Sequence, residues 1–484
     1  MFADTPQALR NTAHIAEQCE FSLDAIHYQF PAFPTPASEP PMRYLRALTY
    51  AGAHERYRPL TQKARKQLEH ELTIIERLDL AGYFLIVWDI VRYARSQGIL
   101  AQGRGSAANS AVCYSLGITA VDPVRRGLLF ERFLSEQRGE WPDIDIDLPS
   151  RERRERVIQY VYDTYGPRGA AMTANVITYR PRLALREVGK ALGFDFDTID
   201  RVSKVGGRWH EASDTASLLD QLGAAGLDTN ERRAQLWATL TQQLLDTPRH
   251  LGQHSGGMVI AAGYLDQVVP IEPASMPNRS VVQWDKDDCA SMGIIKVDLL
   301  GLGMLQVLEE AATHIKNIEQ VDIDYAQLPA NDSKVFDMLC RADSIGVFQV
   351  ESRAQMATLP RLKPRCFYDL VIQIALIRPG PIVGEMVHPY LRRRAGCEPV
   401  TYLHPSLEPI LERTLGIPLF QEQLLRMAMA VADFTGGEAE ELRRALGFKR
   451  APQKMADIEQ KLHRGMQAKG IDAATRDAIV HSIT

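Results

Sequence analysis

Pro142-Asp143-Ile144-Asp145-Ile146-Asp147 sets three aspartates at strict alternation with isoleucines. On a β-strand successive side chains point to opposite faces. Asp143, Asp145 and Asp147 therefore line one face, and Ile144, Ile146 and Leu148 the other. Three carboxylates crowded on one face repel each other unless a cation neutralises them. Hard divalent ions such as Mg²⁺ take oxygen ligands of this kind and keep some positions for water and phosphate. An acidic strand face can also be a solvated edge that discourages aggregation. Three aspartates between isoleucines favour the metal reading over that one.

Two further segments sharpen it. Gly103-Arg104-Gly105-Ser106 lies upstream and Lys296-Val297-Asp298 far downstream. A glycine turn, an i, i+2 carboxylate pair and a distant third carboxylate are the parts of a two-metal nucleotidyl-transfer site. Gly105 lets backbone approach a phosphate, Ser106 adds a hydroxyl, and a following helix start adds oriented N–H groups. Arg104, Arg132 and Lys296 can neutralise charge on a leaving pyrophosphate. A lone G-R-G-S is a weak signal, since small-residue turns before helices are common. The conjunction carries more than any part.

The chain has 484 residues, enough for more than one domain at ~100–200 residues each. Its 45% hydrophobic and 24% charged residues are ordinary for a globular protein. A net charge of −4 has the wrong sign for a protein that simply coats nucleic acid. Local charge differs: Arg361, Lys363 and Arg365 surround Pro364, Arg392 to Arg394 form a triplet, and Arg443, Arg444, Lys449, Arg450 and Lys454 form a third group. Each can equally be a solvated face. Six scattered cysteines with no C-x-x-C pair argue against a zinc ribbon or redox dithiol and fit reduced thiols in the cytoplasm. The first residues, Met1-Phe2-Ala3-Asp4-Thr5, lack the basic-then-apolar pattern expected of a signal peptide, and the apolar run Ala81 to Trp88 is far short of the ~20 residues of a membrane span.

Prolines at 31, 34, 36, 40 and 41 mark a linker. Leu68, Leu72, Ile75 and Leu78 are spaced for an amphipathic helix, and Tyr83 to Tyr93 reads as buried. Residues 175–250 read as helical, with a break at Gly206 and Gly207. From Gly256 the pattern becomes sheet-like and leads into the second carboxylate strand, Ile294 to Leu299. The remainder reads as helical. One mixed sheet built from both pieces would bring Asp298 beside the aspartate strand.

These motifs resemble the palm of C-family bacterial DNA polymerases of the alpha-subunit type. The likeness is carried by Gly103-Arg104-Gly105-Ser106-Ala107-Ala108-Asn109-Ser110, Leu129-Phe130-Glu131-Arg132-Phe133-Leu134 and the aspartate run. His254, Gly256-Gly257, Gln283-Trp284-Asp285-Lys286 and Lys296-Val297-Asp298-Leu299 resemble the second part of that palm. Gly346-Val347-Phe348-Gln349, Arg378-Pro379-Gly380-Pro381, Phe420-Gln421-Glu422-Gln423 and Leu442-Arg443-Arg444-Ala445 resemble the fingers. Val176-Ile177-Thr178-Tyr179-Arg180-Pro181-Arg182 and Gly189-Lys190-Ala191-Leu192 look like the error-prone, damage-induced branch.

The resemblance implies a mixed α/β fold: a polymerase-β-type nucleotidyltransferase palm, a helical thumb insertion and largely helical fingers. It implies the tail of an N-terminal domain and a linker at 1–40, palm at 41–174 and 253–318, thumb at 175–252 and fingers at 319–484. It implies that Asp143, Asp145 and Asp298 bind two Mg²⁺ ions, with Asp147 on the same face and not separable by spacing. Gly105, Ser106, Arg104, Arg132, Lys296, Arg443 and Arg444 are the expected nucleotide-binding residues. Primer-template DNA and deoxynucleotide triphosphates are the expected substrates, with a sliding clamp and translesion accessory proteins engaging regions outside this chain. Departures occur: no early H-x-H motif is present, Leu148-Pro149 stands where an aromatic is usual, and Ser255 where an aliphatic is expected. The expectation is a fragment holding palm, thumb and partial fingers. Its activity is template-directed, error-prone DNA synthesis; the alternative is an inactive fragment that only binds DNA or a partner. Untemplated nucleotidyl transfer is disfavoured because thumb- and fingers-like segments are both recognisable.

Overall fold

The computed structural model describes residues 4–20, 22–26, 28–134, 141–205, 215–323, 325, 328–329, 331–377, 384–447 and 452–483. Gly206-Gly207, the motif Arg378 to Pro381, and Lys449 and Arg450 of the third basic group lie outside the described residues. The strands are β1 (Gln102–Arg104), β2 (Asp145–Pro149), β3 (Ala170–Thr178), β4 (Pro248–Ile260), β5 (Ile271–Pro273), β6 (Ser280–Val282) and β7 (Lys296–Leu302), set among many helices. This is a mixed α/β chain. It divides into two compact units, Met1–Pro31 with Val161–Lys296, and Ala32–Tyr160 with Val297–Thr484.

In the second unit, β1 pairs antiparallel with β2, and β2 pairs parallel with β7. A parallel pair needs a long crossover, and here the whole stretch between residues 149 and 296 supplies it. The strand's apolar face is dry: Ile144, Ile146, Leu148 and Leu299 are all 0% exposed. Burying each such side chain stabilises the fold by ~1.5–3 kcal/mol. The helix Ala81–Ser96 is apolar nearly all round and buries Tyr83, Phe84, Leu85, Ile86 and Val87. The helix Gln62–Arg77 is amphipathic and turns Leu68, Leu72 and Ile75 inward. Thr61 caps it, its hydroxyl accepting from the Ala64 N–H at 3.2 Å.

The C-terminal part of this unit is helical. Helices Gln421–Ala432, Gly436–Gly447, Pro452–Ala468 and Ala473–Ile483 share one core that includes Met427, Val431, Leu442, Leu462 and Ile479. Helices Ser333–Cys340 and Arg353–Leu362 close on a smaller core of Phe336, Leu339, Val350 and Leu359.

In the first unit, β3 and β4 form a long antiparallel ribbon, β6 joins β3 in parallel, and β5 pairs with β6. The sheet here is longer than the sequence pattern suggests, since β4 begins at Pro248 rather than near Gly256. Its first residues, Pro248 to Leu251, are all exposed, so they show no buried alternation to read. Between β3 and β4, helices Pro181–Ala191, Phe196–Val205, Thr215–Ala224 and Arg232–Leu244 enclose a core around Leu185, Ile199, Leu222 and Trp237. Among the described residues, no helix is long and apolar enough to cross a membrane.

Candidate active site

The aspartate run is only partly strand. β2 begins at Asp145, and Asp143 stands exposed just ahead of it. The turn into the strand is pinned from below. The Ile144 N–H donates to the hydroxyl of Tyr83 at 3.1 Å, and Tyr83 is 1% exposed. Register then does the assembling. Asp145 lies opposite Asp298 on β7, so two carboxylates far apart in the chain meet side by side. Asp143, Asp145 and Asp298 each offer a carboxylate oxygen within 4.8 Å of the others. Asp298 is buried, Asp145 half-buried and Asp143 exposed, which leaves one side of the group open to solvent.

The electrostatics match a cation site. Burial first, then the charges of Asp143 and Asp298, push the Asp145 carboxyl up to about 6, and Arg104 pulls it partway back. All three donors are carboxylate oxygens, the set that hard divalent ions take, and the open side leaves room for water or phosphate oxygens. The residues present therefore fit a divalent metal.

Asp147 departs from the expectation. It is outside the three-carboxylate group, and its Oδ1 lies 2.9 Å from Arg104 Nε. The reason is cross-strand geometry: Arg104 faces Asp145 across the β1–β2 register, so Asp147 is its diagonal neighbour. Strand alternation puts Asp147 on the right face but ~6.6 Å further along, where the guanidinium takes it. Arg104, expected at the phosphates, is thereby held in an ion pair.

The glycine turn presses on the cluster. Gly105 has φ +68°, and a Cβ there would lie 3.3 Å from Asp145 Oδ2. Glycine meets both conditions, the left-handed backbone and the close approach. The Ser106 hydroxyl is 3.4 Å from the Asp143 carbonyl oxygen. The turn runs through the 3₁₀ segment Gly105–Asn109 into the short helix Ala111–Ser115.

Glu71 fastens that short helix, and sequence reasoning missed it. Its fully buried carboxylate accepts from the Ser110 hydroxyl at 2.7 Å, the Ala111 N–H at 2.9 Å, the Val112 N–H at 3.0 Å and Gln67 Nε2 at 2.9 Å. The signal available was an acidic residue inside the apolar stripe of its helix, between Leu68 and Leu72. Burial pushes the Glu71 carboxyl up from 4.5 to about 7, against the lowering pull of the Val112 and Ala111 N–H groups. The folded state therefore holds a proton that the unfolded chain gives up. The stability this confers is fully present below pH 4.5 and is lost as pH rises through about 7. Denaturant midpoints should fall between pH 5 and 8, and Glu71→Gln should flatten that slope. An unchanged slope would place the proton elsewhere.

A second group of expected residues gathers on the helical side. Arg132 pairs with Glu422 and reaches Gln421 Oε1 at 3.4 Å. Burial and the nearby Arg443 guanidinium lower its pKa. Arg443 is held by Glu440, with contacts of 2.9 and 2.6 Å. Arg444 follows on the same helix, half-buried. Lys296 opens β7, two residues before Asp298 and so on the same side of the strand.

Two family models match the chain. The bacterial DNA polymerase III alpha NTPase domain covers residues 43–301, and the bacterial DNA polymerase III alpha subunit finger domain covers residues 304–470. An error-prone DNA polymerase of Bordetella bronchiseptica is 50% identical over 478 residues, which are 99% of this chain and 45% of that protein. Error-prone DNA polymerases of Mycobacterium bovis and Methylococcus capsulatus are each 51% identical, over 97% and 96% of this chain and 42% and 44% of their own lengths. The chain thus spans less than half the length of the curated relatives it matches. With matches that run from palm to fingers and a carboxylate group where the motifs meet, the chain belongs to the bacterial DNA polymerase III alpha-subunit family.

Proposed function

We propose that this chain is the catalytic part of a template-directed DNA polymerase of the error-prone kind, acting in the cytoplasm on damaged templates. Its substrates are primer-template DNA and deoxynucleotide triphosphates. The observation that carries the reading is the meeting of Asp145 and Asp298 on adjacent parallel strands with Asp143 beside them. Asp143, Asp145 and Asp298 would hold two Mg²⁺ ions, which when bound would supply positive charge to the attacking and leaving oxygens. Asp147 acts one step back, by orienting Arg104. Gly105 keeps the backbone low beside Asp145, so that a triphosphate can approach, and Ser106 adds a hydroxyl donor. Lys296 stands on the same strand as Asp298 and adds positive charge at that end of the site. Arg132, Arg443 and Arg444 bind the triphosphate from the fingers side. Glu422 and Glu440 hold the first two in place until substrate competes for them. The helices between β3 and β4 serve as the thumb. The error-prone assignment rests on likeness to the relatives.

Primer extension by the 484-residue chain with Mg²⁺ tests the reading. Extension that depends on the template sequence and disappears in Asp298→Asn supports it. A folded chain that extends nothing, or one that adds nucleotides without regard to template, overturns it.

A further inference from the structure

The three basic groups of the sequence meet different fates. Arg392 and Arg393 share Glu398, and Arg394 binds Asp369. Arg443 binds Glu440. Arg361, Lys363 and Arg365 differ, for all three are exposed and, among the described residues, none of their side chains has a carboxylate partner. They occupy the connection from the helix Arg353–Leu362 to the helix Phe367–Leu376. Burial alternates along it. Arg361, Lys363, Arg365 and Phe367 face solvent, while Leu362 and Pro364 are buried and Cys366 is half-buried. The segment turns between the two helices, with Lys363 in the left-handed C-cap position, and all three cations and the phenyl ring stand on the solvent side of that turn. Phe367 is 50% exposed, although its neighbour Tyr368 is half-buried.

No acidic residue occurs from Arg353 to Tyr368. The next one, Asp369, is buried; it pairs with the Arg394 guanidinium and accepts from the Arg365 and Cys366 N–H groups, which leaves the Arg361, Lys363 and Arg365 side chains unpaired by it. Further cations stand close to the turn. The Arg413 guanidinium lies 3.7 Å above the Tyr368 ring. Burial raises the Tyr368 phenol, and the Arg413 and Arg126 guanidiniums pull it back. Arg126 and Arg413 are themselves exposed.

Exposed cations clustered on one turn without side-chain ion pairs, with an exposed aromatic ring next to them in the chain, match the surface of proteins that hold single-stranded nucleic acid. The cations follow the phosphates and the ring stacks on a base of any sequence. A protein partner of acidic character would satisfy the cations but would leave the phenyl ring without a matching group. We infer that the Arg361–Phe367 turn, with Arg126 and Arg413, is a docking surface for single-stranded DNA, the unpaired template strand. Only the word template rests on the polymerase reading.

The test measures binding of a fluorescent oligothymidine by anisotropy in EDTA, so no catalysis enters. The wild-type chain is compared with the triple variant Arg361→Gln/Lys363→Gln/Arg365→Gln and with Phe367→Ala. The triple variant should lower affinity about 10-fold or more and reduce the slope of log affinity against log salt by about 2, since a single strand contributes roughly 0.7 per phosphate contact. Phe367→Ala should weaken binding about 5-fold or more with the slope unchanged. All these side chains are exposed, so both variants should keep the wild-type unfolding transition. Wild-type affinity and slope in the folded triple variant would overturn the proposal. A duplex of the same length competing as well as the single strand would overturn it too. If the chain fails to extend primers yet shows these changes, the polymerase reading falls and the docking surface stands.

Discussion

Asp145→Asn is expected to abolish primer extension while making the cation-free protein more stable. The substitution keeps shape and removes one charge from a group in which Asp143, Asp145 and Asp298 lie within 4.8 Å. Loss of a charge-stabilising contact at a reacting centre costs at least ~10²–10³-fold in rate. The stability change has a definite sign. The Asp145 carboxyl is pushed up to about 6 from 3.8, so its ionisation at neutral pH works against the fold. The stability tied to its protonation is present below pH 3.8 and lost as pH rises through about 6. Asparagine carries no such charge. In EDTA at pH 7.5 the variant should melt a little above wild type, by roughly 2 °C after allowance for its partial exposure. Adding Mg²⁺ should raise the wild-type melting temperature and leave the variant's nearly unchanged. A variant less stable than wild type in EDTA would make Asp145 a structural residue.

The core of the site was legible because it depends on local pattern. Alternation at 143–147 announced a carboxylate face, and a short apolar run ending at Asp298 announced a second strand. The register that joins them follows from parallel pairing of β2 with β7, which no local pattern encodes. Asp147 shows the limit of a period-two argument, which gives the face but says nothing of the neighbouring strand. Arg104 arrives from β1, and only tertiary structure reveals that it takes Asp147. Glu71 and Tyr83 were hidden for the same reason. Each sits on a helix that reads as ordinary core, yet each reaches across to hold site backbone. The start of β4 was unreadable because Pro248 to Leu251 all face solvent.

Trp237→Ala is expected to be the most destabilising single change in the helical insertion, at about 3–5 kcal/mol. Trp237 is 0% exposed, and its indole N–H donates to the Leu185 carbonyl at 2.8 Å. Its ring stacks on Phe194 at 4.3 Å between centroids, with planes 25° apart. Gly189 abuts it so closely that a Cβ there would lie 2.5 Å from the indole. Truncation empties a space that the glycine cannot refill and removes the indole's bond to the Leu185 carbonyl. Trp237→Phe should cost less, because it keeps the stack and loses the donor. Denaturant titration followed by protease sensitivity between residues 181 and 244 measures both. A loss under 1 kcal/mol for the alanine variant would mean that this core does not hold the insertion together.

Direct cation binding is the measurement that bears most closely on the carboxylate group. Mn²⁺ shares the preference for carboxylate and water oxygens and is visible by electron paramagnetic resonance. Titrated into the DNA-free chain, it should occupy a site that Mg²⁺ displaces. Asp145→Asn and Asp298→Asn should each weaken that site at least about 10-fold, and Asp147→Asn should weaken it much less. Equal Mn²⁺ binding by wild type, Asp145→Asn and Asp298→Asn would show that these carboxylates do not form the metal centre.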